Sequence, residues 1–284
     1  MNRIRLFAVA LLLCAYSLFP GFAQEAFHPL DSAALVGKWQ VAAVFANQYA
    51  EKDISTIPDQ PTYVGRSVLI DPTSIAIPLL HLSCAAPATF TERQSIRQLV
   101  QRSMRVWDKK LGLREFMPAT IWGDEEAQTD VFWMQCSAGN LESGFDGEVS
   151  SLPGSHFWIA PLNDGRLLMS WGMNAILMLE RVSDAARPTP SFDCARAASA
   201  ADRAICASFD LAGYDRAIAH TYAWMSDKLT SDELYANPQT LAGLRKLQRL
   251  AHARTEACGS NSVCLLHSLQ KNAQELTRFW QTPH

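Results

Sequence analysis

The chain is poor in charge and in glycine. Lys, Arg, Asp and Glu make up 19% of its 284 residues, and glycine occurs 14 times. Basic residues number 25 against 28 acidic ones, a net charge of only -3. A nucleic-acid binder concentrates positive charge, so that class is excluded. Glycine is too sparse to suggest phosphate-cradling loops, and neither G-x-S-x-G nor H-E-x-x-H occurs. No cysteine pair has the C-x-x-C spacing of a zinc ribbon or a thioredoxin-type redox site. His28, His81, His156, His220, His252, His267 and His284 are scattered without ligand spacing. His81 and His156 fall in strand-like stretches, which predicts half-buried, hydrogen-bonded side chains. Asp124, Glu125 and Glu126 form an acidic triplet of the kind that usually marks a solvated loop. These absences together describe a non-enzymatic protein with no cofactor and no metal.

What is present is ample apolar material. Hydrophobic residues make up 48% of the chain, which excludes wholesale disorder, and the length suits one or two domains. Arg3 and Arg5 precede an apolar run over 6–13 that fades towards Phe19, and Pro20 and Gly21 break it. Gly21 and Ala23 then place small residues where a signal peptidase inspects. The pattern predicts a secretory signal over residues 1–23, cleaved between Ala23 and Gln24. Its apolar part is too short for the ~20 residues of a bilayer span, so no membrane span is expected after cleavage. A lipoprotein reading would use Cys14, but Leu13 stands where a small residue is wanted. The signal carries two of the basic residues, which leaves 23 against 28 and a mature charge of -5. Six cysteines remain: Cys84, Cys136, Cys194, Cys206, Cys258 and Cys264. An even number in an exported chain favours disulfides, and the expected location is periplasmic or secreted.

The period of the apolar pattern changes near residue 190. Residues 24–182 read as a mainly-β domain. Trp39, Val41, Ala43 and Phe45 alternate with Lys38, Gln40, Ala42 and Val44, which predicts a half-buried strand with the first four on one face. Val64, Arg66, Val68 and Ile70 predict another, and residues 131–136 a third. Segments 156–162 and 166–171 flank Asn163, Asp164 and Gly165, a hairpin signal because glycine tolerates the positive φ of a tight turn. Residues 175–182 read as a closing strand, and one helix is expected over 92–107 with Ile96, Leu99, Val100, Ser103 and Trp107 on one face.

Residues 183–190 are polar with two prolines and read as a linker. Residues 191–284 carry helical signals. Ser199 and Asp202 suit a capping box ahead of a short helix through Cys206. Leu211, Tyr214, Ile218, Tyr222, Met225 and Leu229 form one stripe. Asn237 and Pro238 are a cap followed by proline at the first helical position, with Leu241, Leu244, Leu247 and Leu250 continuing from them. Ser262 begins a last helix carrying Leu266, Leu269, Ala273, Leu276 and Trp280. The fold class is thus a mainly-β domain followed by an all-α, disulfide-stapled bundle.

The helical part resembles a known family. Phe192-Asp193-Cys194, then Asp202-Arg203-Ala204-Ile205-Cys206, Leu211-Ala212 and Asp215-Arg216 resemble the lysozyme-inhibitor LprI N-terminal-like family. Tyr222, Gln248, Ala257-Cys258 and Cys264-Leu265 continue the match over about a third of the chain. Ala251 stands where the family usually has Trp, and Thr255 where it commonly has Asp. The resemblance implies an exported helical domain that binds lysozyme or another cell-wall hydrolase. Asp193, Asp202, Arg203, Asp215, Arg216 and Tyr222 are its motif residues, with capping and ion pairing between helices as their structural alternative. Six cysteines allow fifteen pairings, and confining Cys84 and Cys136 to the first domain leaves three. Local Cys194–Cys206 and Cys258–Cys264 pairs are preferred because each closes a short loop beside a helix end, with a nested pairing as the alternative.

In the first domain, Gly37-Lys38-Trp39 resembles the G-x-W of lipocalin-like barrels, and Arg181 would occupy the place of the arginine that packs over that tryptophan. The architecture expected is such a barrel or a strongly bent antiparallel sheet with one helix. Trp39 and Trp133 are expected in the core, while Trp122 and Trp158 are candidates for a pocket. The alternative function is therefore that of a carrier for an apolar small molecule.

Overall fold

The computed structural model describes residues 28–282 apart from 31, 47–60, 104–105, 109–111, 115–124, 142–156, 172–174, 184 and 232–235. The expected signal segment over 1–23, Cys14, Trp122, Asp124, His156 and His284 lie outside the described residues, as does the side chain of Trp107.

The strands are β1 (His28–Pro29), β2 (Gly37–Ala46), β3 (Ser67–Asp71), β4 (Ser74–Ile77), β5 (Leu82–Ala85), β6 (Ala88–Ser95), β7 (Val106–Asp108) and β8 (Gly112–Arg114). Then follow β9 (Gln128–Gln135), β10 (Ala138–Gly139), β11 (Phe157–Pro161), β12 (Leu167–Trp171) and β13 (Ala175–Arg181). Helix α1 (Ile96–Ser103) lies between β6 and β7, and α2 (Ala200–Cys206), α3 (Phe209–Ser231), α4 (Pro238–Glu256) and α5 (Ser262–Gln281) complete the chain. Eleven strands form one antiparallel sheet in the order β1-β6-β9-β11-β12-β13-β2-β3-β4-β5-β10, curled into a half-barrel, and β7 pairs with β8 alone.

The curl is tied at its seam. Strand β9 is third from one edge, yet the chain leaves it through Cys136 and Ser137 directly into β10, which bonds β5 at the opposite edge. Ser137 N donates to Ala85 O (3.0 Å), Asn140 N to Ser83 O (2.9 Å), and the Asn140 amide donates to His81 O (2.9 Å). Cys84 and Cys136 are paired across the same seam. Their separation of 52 residues makes this the staple that most restricts the unfolded chain, by roughly 4 kcal/mol on loop-closure grounds. The other pairs, Cys194–Cys206 and Cys258–Cys264, span 12 and 6 residues and contribute roughly 2–3 kcal/mol each on the same basis.

Strand alternation divides the sheet into two faces. Trp39, Val41, Val44, Val68, Ile70, Ile75, Ile77, Met134, Ile159, Met169 and Leu177 share one apolar cluster. Phe45, Val131, Trp133, Trp158, Leu168, Ile176 and Met178 share the other, under Ile96, Leu99 and Val100 of α1. Strands β11 to β13 are apolar on both faces, which accounts for their near-continuous hydrophobic sequence.

Two expectations from periodicity change here. Trp39 and Phe45 lie on opposite faces, because Met178 pairs with Ala43 and Leu179 with Val41, leaving Ala42 as a bulge. One extra residue reverses every side chain beyond it. The expected helix over 92–107 is also shorter. Residues 92–95 extend β6, which pairs with β9 from Ala88 to Ser95, and the helix begins at Ile96 with Ser95 as its cap. The Ser95 hydroxyl accepts from Gln98 N (3.2 Å) while the Gln98 side chain accepts from Ser95 N (3.1 Å), a reciprocal cap. Trp107 belongs to β7.

The hairpin at Asn163-Asp164-Gly165 forms as expected, with Leu162 N donating to Arg166 O (2.8 Å). So do the capping box of Ser199 and Asp202 and the Asn237 cap ahead of Pro238. The α4 stripe differs at one position: Leu250 is 57% exposed, and Ala251 takes the core place. The N-cap of α5 is Asn261, whose side chain accepts from Cys264 N (3.0 Å). Trp224 and Trp280 pack at 4.7 Å between centroids and join α3 to α5.

The helical part is packed onto the sheet. Ala217 of α3 belongs to the sheet's apolar cluster, and Leu79, after β4, belongs to the helical one. Gly65, at φ +81, and Gly213 of α3 bring two backbones so close that a Cβ on either would collide with the other's carbonyl group. Gly243, by contrast, faces only the Phe279 ring, at 3.4 Å from an added Cβ. Gly213→Ala should therefore cost ~2 kcal/mol or more through forced separation of helix and sheet, a fall in Tm of about 5 °C. Gly243→Ala should be neutral or stabilising by up to ~1 kcal/mol from helix propensity. Thermal and urea unfolding of the two variants beside the parent check the contrast.

Candidate functional site

Of the residues singled out by sequence, Asp215 and Arg216 lie where α3 meets β2 and the linker. Arg66 ends the loop that leads into β3 and is fully buried. Its guanidinium lies 2.9 Å from the centroid of the Tyr214 ring. Arg66 Nε and Nη2 both donate to Val64 O (3.3 and 3.0 Å), while Nη1 has no hydrogen-bond partner. Burial brings the Arg66 pKa down to about 10, against the opposing influence of Tyr214 and Asp210. A buried arginine resting on an aromatic face and one carbonyl holds charge in place.

Around it run the tethers of the linker. Gln40 of β2 donates to Gly65 O (3.0 Å) and accepts from Arg216 Nη2 (2.7 Å). Arg216 Nη1 donates to the Thr189 hydroxyl (2.6 Å) and to its carbonyl (3.3 Å). The Asp215 carboxylate accepts from Ser191 N (2.7 Å). Lys38 sits over the Phe209 ring at 4.4 Å. Residues 189–191 are thus laced to α3 and, through Gln40, to the sheet. Among the described residues, Asp215 and Arg216 form none of the ion pairs between helices considered from the sequence.

The other motif residues serve the backbone. Asp193 accepts from Ala195 N (2.9 Å) and caps a short 3-10 turn. Asp202 accepts from Ser199 N (3.1 Å) and Ala198 N (3.3 Å), and Arg203 donates to Ala198 O (2.9 Å). Tyr222 packs half-buried in the helical core. Glu125 and Glu126 of the acidic triplet both accept from Arg97 (2.6 and 2.5 Å) and hold α1 to the start of β9. His81 is exposed, with φ 54 at the end of a 3-10 turn, because a left-handed residue there lets the chain reverse into β5. Trp39, Trp133 and Trp158 are each 1% exposed, which places Trp158 in the packed core rather than in a pocket.

Sequence reasoning missed two features. Arg66 read as an ordinary strand position, although a lone arginine between Val64 and Val68 on an apolar face is itself a signal of a buried charge. Arg254 donates to both Asn272 (2.6 Å) and Glu275 (2.6 Å), and Asn272 also reaches Thr255 (3.1 Å). This network joins α4 to α5.

Charge is unevenly divided along the sequence after residue 23. Residues 24–190 hold 19 acidic and 13 basic residues, net -6, and residues 191–284 hold 9 and 10, net +1. Among the described residues, no three His, Cys, Asp or Glu side chains converge on one point. No family model, no curated protein and no solved structure matches this chain.

Two outcomes test the junction. Arg66→Met keeps volume and removes charge, so its stability should stay within ~1 kcal/mol of the parent or exceed it, whereas Arg66→Ala should lose about 3 kcal/mol. Urea denaturation separates charge from packing in this way. Burial pushes the Asp215 carboxyl above its ordinary range, the bond from Ser191 N notwithstanding. A raised carboxyl contributes stability that is full below its ordinary pKa and is lost as pH rises through the folded value. Asp215→Asn should therefore gain stability relative to the parent between acid and neutral pH, as measured by urea unfolding at several pH values.

Proposed function

We propose that this chain is an exported, non-enzymatic binding protein whose partner is a cell-wall hydrolase of the lysozyme type. Net charge carries the reading. Without residues 1–23 the chain holds 23 basic and 28 acidic residues, net -5, a sign that attracts a cationic muramidase and raises the rate of encounter. Three cysteine pairs at disulfide distance suit an oxidising compartment. The resemblance of residues 191–284 to the lysozyme-inhibitor LprI N-terminal-like family supplies the partner. The motif residues Asp193, Asp202, Arg203, Asp215 and Arg216 are committed to caps and tethers, which leaves recognition to exposed surfaces.

A carrier of an apolar small molecule is the second reading, favoured by one observation. Arg181 lies over the Trp39 ring at 4.3 Å and donates to Val36 O and Ala34 O (both 2.9 Å), the arrangement that the likeness to lipocalin-like barrels implies. Against it, Trp39, Met134, Phe157, Ile159, Met169 and Trp171 all belong to one packed cluster on the face where such a ligand would sit.

Turbidity of a bacterial suspension under lysozyme decides between them. Clearing should slow at several-fold molar excess of the purified chain, and undiminished clearing with more than one lysozyme type would overturn the muramidase reading. A solvent extract of the purified protein should contain no stoichiometric lipid; its presence would transfer the function to the carrier.

A further inference from the structure

The hairpin of α4 and α5 carries a feature that hydrolase binding leaves unused. Its antiparallel register is set by Gly243 against Phe279, Asn272 donating to Ala251 O (3.4 Å) and Thr255 beside Ser268 (3.0 Å). Leu244 and Ala251 of α4, with Leu265, Leu269, Ala273 and Leu276 of α5, are buried towards the rest of the bundle. Helical spacing then turns Arg245, Lys246 and Arg249 of α4 outward, together with Lys271 and Arg278 of α5, and all five are exposed.

None of these five cations makes an ion pair among the described residues. The one carboxylate between them, Glu275, is held by Arg254 at 2.6 Å. An open depression of about 300 Å³ runs along α5 beside Lys271, Glu275 and Arg278. The same hairpin bears both exposed large apolar side chains of the described residues: Leu250, between the cations, is 57% exposed, and Val263, at the start of α5, is 63% exposed.

We infer that the outer face of this hairpin docks on a bilayer surface rich in anionic phospholipid. Five unneutralised cations fit an anionic partner, because Glu275, the carboxylate among them, is already bound by Arg254. Two antiparallel helices of 19 and 20 residues give a face ~30 Å long that matches a plane rather than a point. Leu250 and Val263 stand singly among polar neighbours, with no contiguous apolar patch or aromatic anchor of the kind a protein partner uses. The apolar faces of α4 and α5 are spent on the bundle core, so the cations meet the headgroups and carry the attraction, with Leu250 and Val263 adding apolar contact.

Vesicle sedimentation with the full mature chain tests this. Vesicles of phosphatidylcholine with about 30% phosphatidylglycerol should bind at least tenfold more tightly than phosphatidylcholine alone. Binding should be lost at ~0.5 M salt. The triple variant Lys246→Glu, Arg249→Glu, Lys271→Glu should lose tenfold or more with an unchanged circular dichroism spectrum. Leu250→Ser with Val263→Ser should weaken binding several-fold while the salt dependence persists. If the triple variant unfolds, Arg249→Glu and Lys271→Glu singly carry the test, each with about fivefold weakening. Equal partition to both vesicle types, no sedimentation with either, or a folded charge variant that binds like the parent would overturn the inference. So would binding to soluble polyphosphate without binding to vesicles.

Discussion

The close approach of two glycine backbones, at Gly65 and Gly213, governs how the second half of the chain lies on the first. With no side chain at either position, α3 settles directly on the loop ahead of β3, and Tyr214 comes to rest on the Arg66 guanidinium. Every polar contact at this junction depends on that spacing. Gln40 reaches Arg216, Asp215 reaches the linker at Ser191, and Ala217 enters the apolar cluster of the sheet. A helix held one side chain farther away would reach none of them. It would also leave Arg66 with water on one side, where an unpartnered nitrogen is inexpensive.

The seam of the sheet obeys a similar economy. An edge strand exposes unpaired backbone groups and invites aggregation. Here β5 is covered by β10, two residues that continue β9 past Cys136, and the disulfide with Cys84 holds the cover in place. The Asn140 side chain adds bonds to both Ser83 N and His81 O. Curvature, edge protection and the long-range staple are thus one feature. Along the sequence, charge is uneven in a way that the small net charge conceals, with the acidic excess confined to residues 24–190.

Much of this was legible in the residues. The change from period two to period three to four, the Asn163-Asp164-Gly165 turn and the caps at Ser199 and Asn237 are local signals, and each depends on interactions within a few residues. The cysteine pairing preferred from short loops is the pairing found. Where the reading slipped, a partner distant in sequence intervened. Pairing with β9 draws residues 92–95 into β6, against their helix-compatible spacing. The bulge at Ala42 is visible only from β13, because an extra residue shows as a mismatch between two strands. Arg97, 28 residues away, takes up the acidic pair Glu125 and Glu126.

The sequence by itself determined the class of each half, the cysteines available for stapling, and the residues that would cap and turn the chain. Those properties follow from backbone preference and side-chain period, which act over short range. Tertiary structure alone decided that the motif residues Asp215 and Arg216 bind the linker and the sheet. It alone buried a charged Arg66 beneath Tyr214, and it alone left five cations of α4 and α5 exposed without an ion pair among the described residues. Burial and electrostatic environment are sums over neighbours brought together by folding, and no window of the sequence contains those neighbours.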